Sequence, residues 1–155
     1  MKALAIAALA LGAAIATPAF AQDKPADNMQ ILMEKLKADK KLLVAENLEL
    51  TESEAKGFWP VYASYQQDLG KINQRLGKVI TDYAANFKTM TDEIADKLVT
   101  EATAIEVDRT QMMQSYLPKL KQVLPGKKVA RYYQLESKIR ALLNFELAAN
   151  IPLVR

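Results

Sequence analysis

From Phe58 to Tyr83 the apolar residues fall at spacings of four and three without a miss: Phe58, Tyr62, Tyr65, Leu69, Ile72, Leu76, Val79 and Tyr83. This 3.5-residue repeat belongs to a helix laid along partner helices, since only such a helix keeps one apolar seam aligned over so many turns. From Pro60 to about Lys88 it would be about 43 Å long at 1.5 Å per residue. A helix of that length is too long for a compact globule of 155 residues, so the chain must answer it with other long helices or with a second copy of itself.

The rest of the chain supplies such partners. A first helix is expected from about Met29 to Asn47, with Ile31, Leu32, Leu36, Leu42, Leu43 and Ala45 as an irregular apolar face. "KTMTDE" interrupts the pattern after Lys88, and Thr91 can cap a third helix. That helix carries Ile94, Leu98, Ala102, Ile105, Met112, Tyr116 and Leu120, and "LPGKK" ends it at Leu124 to Lys128. A fourth places Tyr132, Leu135, Ile139, Leu142 and Phe145 on one face and stops at Asn150. No alternating strand pattern occurs, so the expected class is all-α: long kinked helices in an antiparallel hairpin, four helices with short connections.

Ahead of the helices stands an address. Met1-Lys2 is followed by an apolar run from Ala3 to Ala16, broken only by Gly12, and then by Ala19-Phe20-Ala21. This is the pattern of a secretory signal peptide, residues 1–21, with cleavage expected after Ala21. The run is shorter than the roughly 20 residues that span a bilayer. Residues 22–28, "QDKPADN", read as a flexible leader, and 29–155 as the helical domain. The expected location is periplasmic.

The chain has no Cys and no His. That removes disulfides, thiol chemistry, nucleophile–imidazole catalysis and the usual zinc or copper ligand sets. The carboxylates Asp92, Glu93, Asp96, Glu101, Glu106 and Asp108 fit a solvated helix face better than a hard-cation or acid–base site. Met112-Met113 fits core packing, because adjacent thioethers on a helix do not converge. No metal, no cofactor and no enzymatic activity is expected. Lys and Arg number 21 against 18 Asp and Glu, a net charge of +3, which gives no case for nucleic acid.

"LTESEAKGFWPVY", Leu50 to Tyr62, opens the long helix. Thr51 and Glu54 form a capping box: the Thr51 hydroxyl accepts from the Glu54 N–H, and the Glu54 carboxylate accepts from the Thr51 N–H. Pro60 forfeits a helical hydrogen bond and should kink the helix, as should Pro118 in the third. Gly57 leaves room for close backbone approach. Phe58 belongs to the seam, which turns Trp59 about 100° away towards its edge, where it either packs on the first or fourth helix or is displayed.

The opening has an echo. Leu50-Thr51 precedes Leu124-Pro125 by 74 residues, and at the same offset Phe58-Trp59 aligns with Tyr132-Tyr133. "LTESE" ahead of a long amphipathic helix, with a second Leu-led start at "LPGKK", resembles the paired LTxxQ motifs of the Spy/CpxP-like periplasmic proteins, over about Leu32 to Leu153. Glu54 stands where the motif has Gln, and Pro125 and Lys128 replace Thr and Gln in the second copy. Pro is acceptable at a helix start, where its missing N–H would have no partner. The resemblance implies a cradle-shaped homodimer of two intertwined curved hairpins. It also implies a role as an ATP-independent chaperone for unfolded or partly folded envelope proteins, or as a regulator of envelope-stress signalling.

The residues suggest where a client would bind. Lys127, Lys128 and Arg131 cluster beside Tyr132 and Tyr133, with Lys119 and Lys121 nearby, and Lys71, Arg75 and Lys78 follow the second helix on one face. Cationic heads beside aromatic rings, Trp59 among them, suit unfolded chains. The competing readings are a regulatory subunit docking on a membrane sensor protein, known by tight one-to-one binding, and a structural envelope protein without clients. Suppression of client aggregation distinguishes the first reading from both.

Overall fold

The computed structural model describes residues 40–154, and their fold is all-α. Four α-helices follow in order: α1 (Lys40–Leu48), α2 (Glu52–Asn86), α3 (Asp92–Val123) and α4 (Gly126–Asn150), with a 3-10 turn at Phe87–Thr89 between α2 and α3. No strand occurs among the described residues. The signal peptide, the leader and the expected helical residues 29–39 lie outside them.

The helix starts form as their sequences dictate. Thr51 caps α2: the Glu54 N–H donates to Thr51 Oγ1 at 3.3 Å, and the Thr51 N–H donates to Glu54 Oε2 at 2.8 Å. Thr91 caps α3 in the same way, accepting from the Ile94 N–H at 3.3 Å. Pro125 stands at the start of α4, and its carbonyl accepts from the N–H groups of Lys128 and Val129. Between α1 and α2, Glu49 adopts φ 48°, the left-handed geometry that ends many helices. Both α2 and α3 run without interruption through Pro60 and Pro118, which are exposed.

At 35 residues, α2 is about 52 Å long. It lies against α3 along this length: Gly57 meets Val123, Tyr65 meets Tyr116, Arg109 reaches Asn73, and Arg75 reaches Glu101 and Asp108. As one helix is followed towards the turn, so is the other. The seam residues Phe58, Tyr62, Tyr65 and Ile72 are buried, while Leu69, Leu76, Val79 and Tyr83 are half-buried. Burial is therefore deepest at the Phe58 end and fades towards the turn.

That end holds the core. Val44 and Leu48 of α1, Phe58, Tyr62 and Tyr65 of α2, Tyr116 and Leu120 of α3, Leu124, and Val129 and Tyr132 of α4 form one buried cluster. The apolar face of α1 differs from the expected one: Leu43, Val44 and Leu48 are buried, whereas Leu42 is 54% exposed. None of the described helices is long and apolar enough to cross a membrane.

Gly57 has the close contact its sequence position suggested. A Cβ there would lie 2.9 Å from Val123 Cγ1 and 3.1 Å from Val123 Cβ, and β-branched Val has little rotamer freedom to give way. Gly70 and Gly77, on the same helix, have nothing within 4 Å. Gly77→Ala is expected to stabilise by about 0.5–1 kcal/mol through helix propensity. Gly57→Ala gains the same propensity but forces Val123 away, at about 1–3 kcal/mol, and should end net destabilised. Chemical denaturation of both variants checks this, and a Gly57→Ala protein as stable as Gly77→Ala would contradict it.

Candidate functional site

Two features stand out: the joined helix starts of α2 and α4, and the groove that opens beyond them.

The two motif copies meet in space. The Lys128 ammonium donates to Glu54 Oε2 at 2.6 Å and to the Glu49 carbonyl at 2.8 Å. The Glu54 carboxylate thus closes the α2 capping box and ties α4 to it. Lys128 first, and the Thr51 N–H second, hold the Glu54 carboxyl below its ordinary 4.5. A depressed carboxyl contributes stability that is present above its unfolded pKa and is lost as pH falls through the folded one. The melting difference between wild type and Lys128→Met should therefore be present at pH 6 and shrink as pH drops below about 4.5. A pH-independent difference in thermal melts would show that the ion pair is not its source.

Behind this tie the aromatic residues of both copies stack. The Phe58 ring meets Tyr132 edge-on at 5.3 Å, Tyr65 meets Tyr132 at 5.5 Å and Tyr116 at 5.2 Å. Tyr132 has no exposed surface, so it offers no ring to an outside partner. Burial, then Glu136, raises the pKa of its hydroxyl, which accepts from Gln66 Nε2 at 3.3 Å. Tyr133 is half-buried and donates to the Met113 carbonyl at 2.6 Å. Trp59 is also half-buried: it packs edge-on against Phe58 at 5.0 Å and Tyr62 at 5.4 Å, with the Lys41 ammonium 5.1 Å from its centre. The structure thus places it against the core instead of displaying it.

The basic residues are likewise engaged. Lys71 pairs with Asp68 at 2.9 Å, Lys78 with Asp82 at 2.7 Å, and Arg75 with Glu101 and Asp108, which raise its pKa. Arg131 donates to the Asn47 carbonyl at 3.2 Å, and Lys119 lies 4.4 Å from the centre of the Tyr116 ring. Lys127 is exposed on the first turn of α4. The expected cationic stripe along α2 is therefore a set of ion pairs, two of them within α2 and two reaching from Arg75 to α3. Leu50 and Leu124 pack with the core beside the tie.

From this joined end α2 and α4 run in the same direction and separate, leaving a cavity of about 500 Å³. Its walls include Leu69, Leu76 and Ile80 from α2 and Ile139, Leu143 and Leu147 from α4, and Gly70 and Gly77 also line it. Two charged residues missed by the periodicity lie here. Glu136, 6% exposed, accepts from the Lys40 ammonium at 2.8 Å and from Gln66 Nε2 at 2.8 Å. Arg109, also 6% exposed, donates to Asn73 Oδ1 at 3.1 Å. The signal for Arg109 was a gap: the apolar run of α3 jumps from Ile105 to Met112, and the 4–3 register lands on 109 between them.

Several large apolar side chains are exposed, at the groove wall and away from it. Val99, Leu143, Phe145, Leu153 and Val154 are between 50% and 88% exposed. Phe145 was expected on the inner face of α4, but at 71% exposure it lies outside the core, because α4 runs past the buried cluster. A second pocket lies between Val79, Tyr83, Leu98, Val99, Ile151 and Val154, where the Tyr83 hydroxyl donates to the Pro152 carbonyl at 2.6 Å. No group of three or more His, Cys, Asp or Glu able to hold a metal ion occurs among the described residues.

No protein-family model, no curated protein and no solved structure matches this chain.

Proposed function

We propose that this is an exported, ATP-independent chaperone-like protein of the Spy/CpxP kind, working in the periplasm as a cradle-shaped homodimer of α2–α3 hairpins. The observation that carries this reading is the set of large apolar side chains left exposed: Val99, Leu143, Phe145, Leu153 and Val154, of which Val99 and Val154 share one pocket. Exposed apolar surface on a folded protein marks a contact with something else. The joined motif copies, which tie the helix starts of α2 and α4, support the same kinship. Unfolded envelope proteins would be held by these exposed apolar side chains, not by Tyr132 or the paired basic stripe.

The test uses a client that aggregates as it unfolds. Wild-type protein at a one-to-one ratio, without ATP, should suppress the light scattering of the client. A Val99→Ser/Phe145→Ser variant should lose most of this protection while melting within a few degrees of wild type, since both side chains are already solvated. Absence of protection by the wild-type protein would overturn the reading. Sedimentation giving a monomer at micromolar concentration would overturn the cradle dimer.

A further inference from the structure

The groove between α2 and α4 contains a cation whose hydrogen bonds the described residues leave incomplete. Arg109 is 6% exposed, lines the cavity, and has a buried Nε with no hydrogen-bond partner among the described residues. Among the described residues its one hydrogen bond goes to the neutral amide of Asn73. The carboxylates nearby are committed elsewhere: Glu136 to Lys40 and Gln66, and Glu106 to Arg140. Glu106 also forms a long ion pair with Arg109, 3.8 Å from Nε and outside hydrogen-bond distance, from a half-exposed side chain. Arginine cannot shed its proton in a protein, so a cation remains beside an apolar cavity with less than its due of acceptors. Burial and then the neighbouring Arg140 disfavour that charge further.

The surroundings define what would complete the site. The guanidinium fork matches a carboxylate, which accepts two parallel N–H bonds. On the turn side of Arg109 the walls are Leu76, Ile80, Leu143 and Leu147. Gly70 and Gly77, one heptad apart on α2, each have open space where a side chain would stand. The volume, about 500 Å³, is that of a small-molecule site. We propose that the groove binds a long-chain carboxylate of the fatty-acid class, its head on Arg109 and Asn73 and its chain along the Leu76–Leu147 wall. This goes beyond client holding and shares with it only Leu143; the client test alters Val99 and Phe145, which do not line the groove, so either reading can fail without the other.

Titration calorimetry of the full chain with dodecanoate tests the proposal, with butyrate and methyl dodecanoate as comparison ligands. Dodecanoate should bind, and the ester and the short acid should each bind at least about tenfold more weakly, because one lacks the charge and the other the chain. Arg109→Gln should weaken dodecanoate by about tenfold or more, with Arg109→Lys between it and wild type. Gly77→Leu, which fills the chain side while leaving Arg109 intact, should abolish binding. Thermal melts establish that each variant is folded at the titration temperature, and Gly77→Leu, on an open face, keeps the test decisive should Arg109→Gln not fold. Equal binding of acid and ester, unchanged affinity in Arg109→Gln or Gly77→Leu, or no binding of dodecanoate would overturn it.

Discussion

Phe58→Ala is expected to cost about 3–5 kcal/mol and to lower the melting temperature by roughly 10–20 °C for a domain of this size. Phe58 is fully buried. Its ring touches those of Trp59, Tyr62 and Tyr132, so truncation empties the place where the two motif copies meet. Neighbours on α2 and α4 are held by other contacts and cannot all collapse into the gap. The adjacent Trp59→Ala removes a larger ring but one that water already reaches, and should cost about 1–2 kcal/mol. Thermal and urea melts of the two variants side by side check the order. A Trp59→Ala protein less stable than Phe58→Ala would mean that the seam is not the structural axis of α2.

Glu136→Leu is expected to cost about 3 kcal/mol, because it leaves the Lys40 ammonium with the neutral Gln66 Oε1 where it had a carboxylate as well, beside the buried Tyr132 ring. The side chain of Lys40 is only 22% exposed, so its charge cannot fully return to water without moving α1. Breaking such a pair and replacing it are different operations. The double variant Lys40→Met/Glu136→Leu removes both charges and should recover most of the loss, ending within about 1 kcal/mol of wild type. Denaturation of the two single variants and the double gives the coupling directly. Losses that simply add would show that the two side chains act independently.

What could be read in the sequence divides along a physical line. Interactions within one helix or one turn were legible: the Thr51 and Thr91 caps, the Glu54 reach-back, the stop at Asn150, and the seam from Phe58 to Tyr83. Each depends on spacing alone. The small residue at Gly57 was legible too, although its partner, Val123, was not. Arg109 and Glu136 were not read, because the same periodicity argument that finds a core assigns charged residues to water. Here the register places them inside, where Asn73 and Lys40 from other helices meet them. The stripe of Lys71, Arg75 and Lys78 failed differently. It does share a face of α2, but both carboxylates that engage Arg75, Glu101 and Asp108, come from α3, and no single-helix pattern contains them. Phe145 keeps the register of the α4 face, and only the length of the core decides that it is exposed.

The tie at the motif end also fixes the order in which the chain assembles. Contacts between α2 and α3 join residues as near as Arg75 and Glu101, 26 apart in sequence, and can zip outward from the turn. The links that close the molecule join Glu49 to Lys128, Asn47 to Arg131 and Lys40 to Glu136, separated by 79, 84 and 96 residues. Closure entropy grows with separation, so such contacts are rewarded only after the nearer ones are in place. They are expected to form last and, being few, to open first. Amide exchange should therefore be quicker in α1 and the first turns of α4 than in the middle of α2. The ring of Tyr132, sealed in the native state, is guarded by a clasp whose release needs far less than unfolding: the part of the core assembled from the most distant stretches of chain is also the part that breathes.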